Sequence, residues 1–246
     1  MAAEPGAGRR SRLPQLAGPR HGPLPYFLLV LTVVTGLVDA VSVLRLGRVF
    51  VANMTGNVVF VGFALARAPG FSLVNSLVAL AGFLVGAGLG GWLVGRLIPD
   101  RGRLLQVTAA VELGLFGIAT VVAFAMLGRS PAAIYVLAAL LAPAMGFQNT
   151  TARRLAVPDA TTTVLTMTLT GIAADLRSGQ GPAAVLRRLL SIATMLVGAI
   201  VGALLVLSGR PAVPLLIATV LAALVVAGLA VTLRGSPAWS REPPRT

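Results

Sequence analysis

The sequence predicts an all-α, polytopic transmembrane helix bundle, and three observations carry that prediction. Of the 246 residues, 57% are hydrophobic and only 11% charged, against about 45–50% and about 25% in soluble domains. Apolar runs of roughly 18 residues or more, long enough to cross hydrocarbon as a helix, recur along almost the whole chain. The basic residues sit in short patches between those runs, as they do in the loops of membrane proteins. A net charge of +13 on a soluble chain would suggest nucleic acid. Its distribution here describes topology instead, so the expected partner is the lipid bilayer and not a nucleic acid.

All 20 basic residues are arginine, in keeping with a GC-rich bacterial genome. The chain has no cysteine, and its one histidine, His21, lies in a polar tail. Disulfides, thiolate chemistry, zinc sites and Ser-His-Asp catalysis are therefore not expected. Neither a cofactor nor a metal is implied, and the chain does not read as an enzyme.

Residues 1–24 are rich in Arg, Pro and Gly. The apolar run after them is too long for the core of a signal peptide and lacks a small-residue cleavage site. This start reads as a disordered basic cytoplasmic tail, followed by a transmembrane domain over 25–233 and a polar, Pro-rich cytoplasmic tail over 234–246. Eight apolar segments fall at about 25–44, 49–66, 73–98, 104–127, 132–152, 160–176, 185–207 and 212–233. The second and sixth, VFVANMTGNVVFVGFALA and ATTTVLTMTLTGIAADL, carry Asn, Thr and Gly that suit a lined interior better than a lipid-facing helix.

Arginine placement tests whether those two segments cross, because Lys and Arg concentrate on the cytoplasmic side. With a cytoplasmic N-terminus and eight crossings, 12 arginines lie inside and 8 outside. If the second and sixth segments are re-entrant or broken, 15 lie inside and 5 outside. Six spans plus two polar elements obey the rule better.

An internal repeat supports the same plan. Leu84 to Val94, LVGAGLGGWLV, aligns without gaps on Leu196 to Val206, LVGAIVGALLV. Asn53-Met54-Thr55 falls on Thr166-Met167-Thr168, and Gly36 with Asp39 falls on Gly146 with Asn149. Each half, about 25–127 and 132–233, then holds three crossings and one polar element. An odd number of crossings turns the second half upside down, the inverted-repeat arrangement of many carriers.

Ionisable residues inside spans usually face a bundle interior, which singles out Asp39, Glu112 and Asp175. Asp175 also fits a helix-end carboxylate beside Arg177, whereas Glu112 sits too deep for snorkelling. Asn53, Thr55 and Asn57 in one polar element, and Thr166, Thr168 and Thr170 in the other, are candidate solute contacts. Residues at i, i+2 and i+4 cannot share one face of a regular helix, so either the backbone is locally extended or some of these side chains bond neighbouring helices. Gln148 and Asn149 add amides to the fifth span. Gly82, Gly86 and Gly90, with Gly198 and Gly202, have the small-xxx-small spacing of touching helices, within one chain or between two copies of a homo-oligomer.

The strings GLVDAVSVL, RVFVANMTGNVVFVGFALA and RRLAVPDATTTVLTMTLTGIAAD resemble the YoaK family of bacterial membrane proteins, a domain of unknown function, over about Pro25 to Leu233. That resemblance implies a compact polytopic inner-membrane protein and supplies no substrate. The pattern of residues points to a small secondary transporter or carrier of a solute or ion, with Asp39 or Glu112 taking a proton. The competing reading is a non-transporting scaffold, sensor or assembly protein.

Overall fold

The computed structural model describes residues 21–96, 100–157, 169–170, 182–235 and 237–241. Its helices are α1 (Leu24–Arg45), α2 (Met54–Leu65), α3 (Leu73–Arg96), α4 (Arg101–Met126), α5 (Ala132–Leu155), α6 (Pro182–Leu207) and α7 (Val213–Thr232), followed by a 3₁₀ turn at Ala238–Ser240. All but α2 are long and apolar enough to cross a bilayer, so the described residues form the polytopic helical bundle expected from the sequence, with six helices of spanning length. The 12 residues of α2 make a rod of about 18 Å, too short for a hydrocarbon core of about 30 Å.

Contacts fix the direction of each helix. Gly198 of α6 lies on Val33 and Leu37 of α1, and Gly202 on Leu37 and Ala40, so α1 and α6 run parallel. Gly82 of α3 lies on Ala142 and Pro143 of α5, and Gly90 near Phe147 and Thr150, so α3 and α5 run parallel as well. Thr108 meets Thr151 and Arg101 meets the Leu155 carbonyl, which makes α4 antiparallel to α5. Thr120 bonds Thr219 at 2.9 Å while Gly102 abuts Leu233, which makes α4 antiparallel to α7. At the start of α1, Leu24, Leu28 and Leu31 cluster with Val225 and Leu229 of α7, whereas Val34 and Val38 cluster with Leu215 and Ala218. Thus α1, α4 and α6 point one way, and α3, α5 and α7 the other.

The pairing pattern survives exchange of the two halves. α1 packs on α6 as α5 packs on α3, α1 packs on α7 as α5 packs on α4, and α4 packs on α7. The glycines obey the same exchange. A methyl group at Gly36 would collide with the Met195 carbonyl and one at Gly198 with the Val33 carbonyl, while Gly146 meets the Phe83 carbonyl and Gly86 the Pro143 carbonyl. In lipid, where burial of apolar surface from water does not drive helix association, such backbone contact through small residues is the main cohesive term. The Gly-rich helices therefore use Gly86, Gly198 and Gly202 inside the chain.

The polar loops segregate by end. Arg96, Arg101, Arg103, Arg153, Arg154, Arg187, Arg188, Arg234 and Arg241 belong to the end where α1, α4 and α6 begin, and Arg45, Arg48, Arg67, Arg129 and Arg210 to the opposite end. Between the ends, Leu84, Leu89, Val121, Phe124, Leu196, Leu204 and Leu224 form part of an exposed apolar surface, the surface that acyl chains cover.

Candidate functional site

Polar side chains gather in two buried groups. The first lies where α1 and α4 of one half meet α5 of the other. Thr35, Thr108, Glu112, Gln148 and Thr151 are all between 0% and 1% exposed. The Thr35 hydroxyl donates to the Leu31 carbonyl at 3.0 Å, so its oxygen is an acceptor for the Gln148 amide, whose Nε2 reaches it at 3.1 Å. Gln148 Oε1 has no partner among the described residues. On α4 the Thr108 hydroxyl donates to the Leu104 carbonyl at 2.9 Å, leaving its oxygen to receive the Thr151 hydroxyl at 2.7 Å.

Glu112 lies one turn along α4 from Thr108, and Gln148 nearly one turn back along the antiparallel α5 from Thr151. These spacings put both side chains on the facing surfaces of the two helices at one level. Eleven residues from Arg101 set Glu112 about 17 Å into a helix about 39 Å long. Neither carboxyl oxygen of Glu112 has a hydrogen-bond partner among the described residues.

The second group lies toward the end where α1 stops. Asp39, one turn beyond Thr35, accepts the Ala52 N–H on Oδ1 at 3.4 Å. Residues 46–53 carry no helix, so their peptide groups need partners from elsewhere. Asn57 of α2 supplies two: its Oδ1 accepts the Phe50 N–H at 2.9 Å and its Nδ2 donates to the Phe50 carbonyl at 2.5 Å. Asn75 of α3 donates to the Leu46 carbonyl. Phe50 stacks on Phe60 at 5.7 Å, and Phe60 and Phe63 pack on Phe71, which holds α2 against the start of α3.

The opposite end is closed by chain termini. The Asp100 carboxylate caps α4 by accepting the Arg103 N–H at 3.0 Å and takes the Ser240 hydroxyl on its other oxygen at 3.1 Å. Trp239 lies against Gly22 and Gly102, and buried Arg101 donates to the Leu155 carbonyl and to His21 Nδ1.

Of the residues singled out from sequence, helix spacing puts Glu112 and Gln148 at one level of the packed α4 and α5, and Asp39 stands one turn along α1 from Thr35, the partner of Gln148. Asn149 is half-buried on the neighbouring face of α5. The chain breaks before Met54, so Asn53 stands at the helix entrance without a side-chain cap. Asn53 and Thr55 are exposed, and Asn57 is buried with its amide committed to the Phe50 peptide. Thr170 is exposed in a helical fragment, while Thr166, Thr168 and Asp175 lie outside the described residues. Convergence of the two polar segments falls outside them too. Thr35, Thr108, Thr151 and Asn75 are not among the candidate solute or ion contacts named from the sequence. The first three stand three or four residues from Asp39, Glu112 and Gln148, a helical spacing that marks them as sharing a face with those residues.

Six apolar spans around a buried polar centre define an integral membrane protein of the polytopic helical class. The chain belongs to a family of proteins of unknown function, DUF1275, which it matches over residues 27–228. It is similar to the UPF0700 transmembrane protein YoaK of Bacillus subtilis (strain 168), with 36% identity over 153 residues. That match covers 61% of this chain and 65% of the relative, a little under two thirds of the relative's length. No solved structure matches the chain.

Proposed function

We propose that the protein is a small secondary carrier whose two halves form an inverted repeat and alternate in exposing a central site to the two sides of the membrane. One observation carries this reading: unsatisfied polar groups are buried at mid-depth where helices of opposite halves meet. Carriers of this type place solute and coupling ion at such a junction. A bare carboxylate at the bilayer centre costs at least about 3 kcal/mol, so Glu112 is worth keeping only if it serves a proton, an ion or a solute. Asp39 stands one turn away, with Gln148 and Asn149 near the same level.

The arginine-rich end is the cytoplasmic one by the positive-inside rule, which puts both termini in the cytoplasm of a bacterial cell. The expected behaviour is solute flux without covalent chemistry, with proton coupling at Glu112 or Asp39. Purified protein in proteoliposomes should pass at least one solute from a broad panel, and Glu112→Gln should abolish that flux. Wild-type vesicles no leakier than empty ones across the panel would remove the carrier reading. They would favour a scaffold or assembly role, which the purely structural use of Asn57 and Asn75 also suits.

A further inference from the structure

We propose that Glu112 and Gln148 together form a binding site for a single monovalent cation. The inference rests on the carrier reading only for its purpose, because the site is read from hydrogen-bond accounting alone.

The hydroxyl donors of the buried group are already committed. The Thr35 and Thr108 hydroxyls donate to the carbonyls of their own helices. The Thr151 hydroxyl is taken by Thr108, and one of the two Gln148 amide hydrogens by Thr35. The side-chain atoms of this group left without any partner among the described residues are Gln148 Oε1, Glu112 Oε1 and Glu112 Oε2, all acceptors and all buried. Neutral solutes offering acceptors gain nothing from such a place, and an anion is repelled. A ligand that brings positive charge meets the carboxylate and the amide oxygen at once, where the low dielectric strengthens the attraction.

The charge count selects the valence. One carboxylate faces the junction, and Asp39, the other acidic side chain of the described spans, is engaged with the Ala52 peptide. No group of three or more His, Cys, Asp or Glu suited to a metal occurs among the described residues, and oxygen sites for divalent cations generally collect more charge than one carboxylate supplies. A single positive charge balances the site, carried by a proton, an alkali ion or a small ammonium. Arg103, the nearest fixed cation along α4, is exposed about two and a half turns away, and Arg101 is turned toward Leu155 and His21, so neither fills the place.

The test uses the full chain in detergent micelles and measures occupancy without any flux. A hydrophobic carbodiimide reacts only with a protonated carboxyl, and the adduct is located by peptide mass spectrometry. The expected result is labelling at Glu112 that falls about tenfold on adding the right cation at fixed pH. Loss of labelling on raising pH alone, indifferent to salt, identifies the proton. Protection by sodium or potassium but not choline identifies an alkali ion, and protection by methylammonium identifies an ammonium.

Labelling of Glu112 that no cation and no pH alters, or no labelling under any condition, overturns the site. Gln148→Leu, which keeps the carboxyl and removes the amide oxygen, should weaken protection by about tenfold. Unchanged protection in that variant overturns the part assigned to Gln148. Cation protection without flux leaves this inference standing and removes the carrier; flux with an inert Glu112 does the reverse.

Discussion

At the scale of single residues, buried polar side chains of this membrane domain differ in what they hold: some bond backbone, some bond one another, and the Glu112 carboxyl has no partner among the described residues. Asn57 is of the first kind. Replacing it with Ala leaves the N–H and C=O of Phe50 without partners, at about 1–3 kcal/mol for each group that stays dry. The expected outcome is faster tryptic cleavage at Arg48, read by mass spectrometry, with the six spans intact. Thr35→Val should likewise strand a Gln148 amide hydrogen and lower thermal stability in detergent by about 1–3 kcal/mol, whereas Glu112→Gln, which replaces a buried carboxyl without a partner among the described residues, should raise it. Much of this was legible in the sequence: the depth of Glu112 and the oddity of ANMTGN are visible without coordinates. The division of labour was not. Whether Asn57 bonds a solute or the Phe50 peptide depends on the chain breaking before Met54, and a string of i, i+2, i+4 polar residues is compatible with both.

At the scale of elements, small residues decide where helices touch. Gly86 and Gly198 each occupy the third position of an LVGA string and each lies under a carbonyl of the partner helix. Leu at either position must push α3 from α5 or α6 from α1. The two substitutions should cost alike, about 1–3 kcal/mol or more, measured as loss of folded protein on heating in detergent. Leu at Gly88, where a Cβ would meet nothing within 4 Å among the described residues, should be neutral. The glycine spacing announced close packing but not its partner. Sequence neighbours α1 and α3 would have been the simple guess, and the chain instead pairs α1 with α6 and α3 with α5, a choice that only long-range geometry determines.

At the scale of the whole molecule, arginine distribution and repeat register together predicted six spans, and six helices of spanning length are present among the described residues. Helix directions were legible for the same reason, since successive crossings of a membrane must alternate. Topology can be mapped on the native chain, which has no cysteine of its own. Single cysteines at Leu44, Ala68 and Ser208 should be labelled by an impermeant maleimide from one side, and cysteines at Arg103, Arg154 and Arg234 from the other. Labelling of positions 44 and 68 from opposite faces would mean that the segment around α2 crosses after all. The contacts of α1 with α6, and of α5 with α3, also mean that each half grips the other more firmly than it grips itself. A gene cut between Met126 and Ala132 should therefore yield two fragments that are degraded when made singly and recovered as one complex when made together, a molecule clasped like two interlocked hands whose joining thread is dispensable.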